Sequence, residues 1–221
     1  MTIAVDIVLS VLLITLGYAY TCFYFNGVKW NNISFACLKP SKNKILYVVG
    51  AVSIVALLIG LFETVYNLSM IPQVKLLSLV LVMIPIAAVD LRVQKIPNNL
   101  ILTAIAIRVI IYIAEFCISI PYAVTILKDN LLGAVIIGAF FLILLLVFKN
   151  SIGMGDIKLF AVMGLYQGVW GAINSVFFSL LVSFVLSIGL LVTKRKGRKD
   201  TISFGPCILI GTVIAISLAG M

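Results

Sequence analysis

Two aspartates carry most of the chemistry this chain offers. Asp90 closes an apolar run in Ala87-Ala88-Val89-Asp90-Leu91-Arg92-Val93-Gln94-Lys95-Ile96-Pro97-Asn98. Asp156 stands in Gly153-Met154-Gly155-Asp156-Ile157-Lys158-Leu159, directly before a second apolar run. There are only seven acidic residues in all and no histidine, which removes Ser-His-Asp triads, Cys-His pairs and histidine-based metal sites. The four cysteines (Cys22, Cys37, Cys117, Cys207) are scattered and form no C-x-x-C pair, so neither a zinc knuckle nor a redox pair is indicated. What remains is carboxylate chemistry. Two carboxyl groups in a low-dielectric setting relieve their repulsion by sharing one proton. Such a pair acts as general base and acid, one drawing a proton from water while the other protonates or polarises a carbonyl. Taken singly, each has a plain structural reading: Asp156 as a helix N-cap, Asp90 as a solvated loop acid beside Arg92.

The elements that must bring these residues together are membrane helices. Of 221 residues 63% are hydrophobic and 10% charged, against about 25% charged in a soluble domain. That is too little charge for a water-facing surface, and soluble, disordered, collagen-like and disulfide-scaffold classes are all excluded. Apolar runs bounded by polar punctuation fall at 2–25, 45–62, 71–89, 98–118, 131–148, 157–192 and 204–220. One crossing needs about 20 residues, so the run 157–192 is too long for one. It is interrupted around Gly164, Tyr166, Gln167 and Gly168, which predicts a short helix followed by a full one. The first piece is short for a crossing and fits a helix beside a water-filled cavity.

Charge orients the chain. Lysine and arginine number 16. With eight spans, thirteen of them fall in connections on one side, including the cluster at 194–199, in line with the cytoplasmic bias of basic loops. Seven spans would place that cluster outside. The expectation is therefore an all-α polytopic membrane protein with about eight transmembrane helices and both termini outside. The first span lacks a basic n-region and is expected to be retained. Two crossings separate Asp90 from Asp156, so both lie on the cytoplasmic face. The net +9 reports topology rather than nucleic-acid binding.

Three segments together resemble the bacterial type IV prepilin peptidases, intramembrane aspartic proteases of the Gly-x-Gly-Asp type. They are Asp-x5-Ile-Pro-Asn (Asp90, Ile96, Pro97, Asn98), Gly-Met-Gly-Asp-Ile-Lys-Leu at 153–159, and Phe204-Gly205-Pro206 opening the last span. The resemblance covers about two thirds of the chain. It implies Asp90 and Asp156 as the catalytic pair, with Gly153, Gly155, Lys158, Pro97 and Asn98 positioning the substrate or the backbone. It also implies a prepilin-like protein as substrate, a basic leader cleaved at the cytoplasmic face of the bacterial plasma membrane, and no metal or organic cofactor. Residues 1–70 then form a two-helix segment with a short cytoplasmic loop, and 71–221 a six-helix catalytic domain. Many relatives carry paired C-x-x-C motifs in a larger N-terminal loop, associated with zinc and N-methylation. Here the loop 26–44 has only Cys37, which leaves the methyltransferase activity, its S-adenosylmethionine and its zinc in doubt. Presenilin-like proteases share Gly-x-Gly-Asp but use a Pro-Ala-Leu motif absent here.

Other functions compete with this one. The two aspartates would serve equally as a cation or proton site in a small transporter, or survive in an assembly factor that cleaves nothing. Arg108 and Glu115, seven apart on one helix face, are expected to be structural. Lys158 is expected to snorkel, and Trp30, Trp170 and Tyr166 to anchor at the interface.

Overall fold

The computed structural model describes the backbone of residues 2–25, 42–148, 153–193 and 203–219. Among these residues all regular structure is helical. The order is α1 (Thr2–Phe25), α2 (Lys42–Leu61) with a π turn at Phe62–Tyr66, α3 (Met70–Val93), α4 (Asn98–Ile118), α5 (Ile120–Val147), α6 (Met154–Val192) and α7 (Gly205–Ala219). Six of these are long and apolar enough to cross a membrane, and the seventh is a shorter apolar helix. The chain is thus an all-α, multi-pass membrane protein. The loop at 26–41 with Cys37 and Trp30, and the basic cluster at 194–199, lie outside the described residues.

α3 is the centre. Its residues 76–87 are buried on every face, as expected of a helix apolar all round that is wrapped by protein. α1 flanks it in parallel, with Phe25 under the Arg92 guanidinium, 4.3 Å from the ring centroid, and Gly17 against Pro85. α1 is inverted relative to a soluble helix. Its buried stripe is Asp6, Ser10, Gly17, Thr21 and Cys22, while Val8, Val11 and Leu16 face outward. Lipid tails are as apolar as leucine, so burying leucine between helices gains little, and small or polar residues take the contact instead.

α6 is interrupted at Gly168, whose φ of 69° and ψ of −167° are non-helical and belong to a region that is essentially glycine-only. Contacts on its two limbs run in opposite directions. Along the first, Lys158 meets Asn98 at the start of α4, and Tyr166 reaches Ala104 further up the same helix. Along the second, Ser179 meets Ile208 and Gly211 while Ser183 faces Cys207. The second limb therefore descends toward the end of α7 where Gly205 meets Asp90. The chain turns back at Gly168, as its excess length requires.

Two expectations need correction. α5 begins at Ile120, eleven residues before the apolar run at 131, so Lys128 and Asp129 lie inside a helix rather than a loop. The reason is tertiary: the Asp129 carboxyl packs on Gly168, and Asn130 donates to the Tyr112 hydroxyl at 3.1 Å. Tyr166 is no interfacial anchor. It is fully buried and donates to the Ala104 carbonyl at 2.7 Å. The N-cap position of α4 is Pro97, which makes no side-chain cap bond.

Candidate active site

Asp90 sits one turn before the end of α3. Its carbonyl accepts the Gln94 amide at 2.9 Å, and Gln94 ends the helix in the left-handed region at φ 53°. That conformation, usually left to Gly or Asn, costs a glutamine about 1–2 kcal/mol and turns the chain sharply toward Ile96-Pro97-Asn98. Gln94 was not legible as a site-shaping residue, because nothing in its type signals positive φ.

The Asp90 side chain is buried, and its Oδ2 accepts the backbone N–H of Gly205 at 2.8 Å. Gly205 is the first residue of α7, so the carboxyl lies at a helix N-terminus, where unpaired amides and the helix dipole favour an anion. This gives the Phe204-Gly205-Pro206 segment a physical account. A Cβ on Gly205 would stand 3.0 Å from the Asp90 Cβ and 3.1 Å from Oδ2. Pro206 falls in the first turn, where a missing N–H costs nothing. Phe204 packs edge-on against Phe160, which stacks on Phe141 at 4.4 Å between centroids. An aromatic row thus ties α5, α6 and the start of α7 beneath the site.

Asp156 is the third residue of α6, after Gly153 at the N-cap. It is not itself the cap. Its amide bonds back to the Gly153 carbonyl at 3.0 Å, and its carboxyl folds over Gly153, where a Cβ would meet Oδ2 at 2.9 Å. It is half-buried, and the charge of Asp90 acts on it directly. The two motif aspartates, 66 positions apart in sequence, are electrostatic neighbours, each at the N-terminus of a helix.

The remaining predicted residues knit the two motifs together. Gly155 faces Ile96 so closely that a Cβ would lie 2.9 Å from the Ile96 Cβ. The neighbour admitted by this glycine is thus the chain's own Asp-x5-Ile-Pro-Asn turn. Lys158, exposed, donates from Nζ to Asn98 Oδ1 at 3.0 Å. Pro97 and Asn98 also line a groove of about 920 Å³ between α1, α3 and α4, walled by Leu13, Tyr20, Leu81 and Pro85 among others. No cluster of three or more metal-ligating side chains occurs among the described residues.

Residues 77–191 match the type IV leader peptidase family. The prepilin leader peptidase/N-methyltransferase of Bacillus subtilis (strain 168) is 28% identical over 152 residues, which cover 67% of this chain and 56% of that protein. The chain thus matches little more than half the length of that curated relative. No solved structure matches it. The family match runs from α3 to the end of α6, over half of the chain, and takes in Asp90, the Ile-Pro-Asn turn and the Gly-Met-Gly-Asp turn; this chain belongs to the type IV leader peptidase family.

Proposed function

We propose that this chain is an intramembrane aspartic endopeptidase that removes the basic leader of prepilin-like proteins at the cytoplasmic face of the bacterial plasma membrane. Asp90 and Asp156 form the dyad. One is ionised and activates water, the other protonated and directed at the scissile carbonyl, and the pair titrates as a unit. What carries this reading is the packing of the two aspartate motifs on each other, Gly155 against Ile96, which brings the end of α3 and the start of α6 together with the two carboxyls within range of each other's charge. The groove between α1, α3 and α4 supports it, since it offers an apolar segment a place to lie against Pro97 and Asn98 of the Asp90 motif.

Residues 71–221 are the catalytic unit, with 1–70 as a two-helix addition. With the two limbs of α6 counted as separate crossings, the chain spans the membrane eight times with both termini outside. The relative's name includes N-methylation. The only cysteine in the loop 26–44 of this chain is Cys37, and we assign it the peptidase reaction alone.

The test is reconstitution with a prepilin bearing a basic leader, scored by the leader-sized shift in mass. Asp90→Asn and Asp156→Asn are each expected to abolish cleavage while inserting and folding as the parent does. Full activity in either purified variant removes the dyad. Ion flux without any cleaved product would favour a transporter.

A further inference from the structure

The first limb of α6 ends on a built polar clamp. Its last four carbonyls have no continuing helix to pair with once the backbone breaks at Gly168. One of them, Leu165 C=O, accepts two side-chain donors from α4: Arg108 Nε at 3.0 Å and Tyr112 Oη at 3.1 Å. Both Nη atoms of the guanidinium are engaged as well. Nη1 and Nη2 donate to Glu115 Oε1 and Oε2 at 3.1 and 3.2 Å, and the group lies 3.7 Å from the Tyr112 ring centroid. Asn130 of α5 donates to the Tyr112 hydroxyl at 3.1 Å. Arg108 and Glu115 are each 1% exposed, and theirs is the ion pair found among the described residues.

This placement follows helix electrostatics. A cation belongs at a helix C-terminus, and the paired carboxylate keeps the cluster neutral in a setting where a lone charge is costly. The limb cannot relax sideways either. A Cβ on Gly164 would run into the backbone of Gly133 and Ala134, and one on Gly133 into that of Gly168. At the opposite end of the same limb stands Asp156, nine residues before Leu165. That is about 14 Å of helix, so a tilt of about 4°, or an axial slide of 1 Å, at the clamp moves the carboxylate by about 1 Å. A misplacement of that size at a reacting group costs up to about a hundredfold in rate.

We infer that Arg108 and Glu115, acting with Tyr112 on the Leu165 carbonyl, are positioning residues that set the height and tilt at which Asp156 faces Asp90. This rests on the aspartate-dyad reading, and the two are tested separately. The geometry is read without activity by cross-linking Lys95→Cys to Met154→Cys, exposed positions on either side of the Ile96–Gly155 contact, with the native cysteines replaced by serine. Arg108→Met/Glu115→Met removes the clamp without leaving a lone charge. The expected result is a folded protein with altered disulfide yield, a kcat at least about tenfold lower with KM within about twofold, and a displaced pH–rate profile. Arg108→Lys, which keeps the ion pair but loses the Nε contact, is expected to fall between. Unchanged cross-linking and kcat in the folded double variant overturn the proposal. So does a loss of activity that only tracks loss of folded protein in both variants. If the parent cleaves nothing, the dyad reading fails while the cross-linking still decides the clamp.

Discussion

Gly205→Ala is the sharpest probe of the site, because one methyl group is placed against one carboxylate. The new Cβ would lie 3.0 Å from the Asp90 Cβ and 3.3 Å from its Cγ, where carbon atoms settle at about 3.5–4.0 Å. At least about 0.5 Å must therefore open between α7 and α3. α3 cannot retreat, being buried on every face just before Asp90, so the start of α7 moves instead. The Gly205 N–H bond to Oδ2, now 2.8 Å, is then stretched beyond the usual limit of about 3.2 Å. A hydrogen bond to a charged group is worth about 1.5–3 kcal/mol, which corresponds to roughly ten- to a hundredfold in rate if the bond acts in the transition state. The packing strain itself costs about 1–3 kcal/mol of stability. The assay is single-turnover cleavage of a leader-bearing substrate in proteoliposomes, beside a thermal melt. Two other glycines calibrate it. Gly189 has nothing within 4 Å of its would-be Cβ, so Gly189→Ala is expected to cleave normally and to be up to about 1 kcal/mol more stable. Gly211, on the same helix as Gly205, stands against the Ser179 backbone with no room for a Cβ, so Gly211→Ala is expected to lower stability more than Gly205→Ala does. A folded Gly205→Ala enzyme with parental single-turnover rate would refute the assignment of the α7 N-terminus to Asp90.

Three further outcomes follow from the same geometry. Gly168→Ala puts a side chain into a glycine-only conformation and into the space held by the Asp129 carboxyl; it should destabilise by more than about 1–3 kcal/mol, and a melt within 1 °C of the parent would contradict the turn. Lys158→Ala removes an exposed link to Asn98 that the Ile96–Gly155 contact duplicates; less than about 1 kcal/mol of stability and less than about tenfold in rate should be lost, and a hundredfold loss would place Lys158 in the chemistry. The pH dependence of kcat/KM should be bell-shaped. It falls on the acid side as the base takes up a proton and on the alkaline side as the acid loses one, both limbs belonging to the pair. A flat profile over about pH 4 to 9 would argue against two coupled carboxyls.

The sequence revealed the elements that are bounded by chemistry and hid those bounded by packing. α1 and α4 begin and end where the apolar runs do, because Pro97-Asn98 and the polar segment after Phe25 leave no alternative. The break at Gly168 was legible from length and punctuation: the run 157–192 is too long for one crossing and is interrupted around Gly164, Tyr166, Gln167 and Gly168. The early start of α5 was not, since Lys128-Asp129-Asn130 has the composition of a loop and is made helical by Tyr112 and Gly168 on other elements. Nor was the central place of α3. Hydropathy scores burial in lipid and burial in protein alike, so one wrapped helix among several exposed ones leaves no mark on it. At the site, the aspartates and their motifs were readable as types at spacings. That Gly155 admits Ile96, that Gly205 donates to Asp90, and that Gln94 turns left-handed are facts about neighbours, which no single segment encodes.

The arrangement of the two carboxyls has a consequence for how the site is held. Both lie at helix N-termini, but not in the same way. Asp156 is served by its own helix, folding back over Gly153 within the first turn of α6. Asp90 belongs to the C-terminal end of α3, where the dipole of its own helix opposes a negative charge, and it is served by the first amide of α7 instead. The helix N-terminus that serves Asp156 is therefore in place once α6 forms, whereas the one that serves Asp90 depends on α7 being docked. The position of Asp156 depends in turn on the first limb of α6, held at its far end by the Arg108 clamp and along its side by Gly133 and Gly164. In a membrane the hydrophobic effect does not press helices together, so these glycine contacts and buried polar bonds are what align the limbs. Asp90 and Asp156 lie where three separately anchored helices meet. Undocking α7 leaves Asp156 and its helix N-terminus intact while stripping Asp90 of the Gly205 amide, so loss of the α7 contact alone makes the surroundings of the two carboxyls unequal.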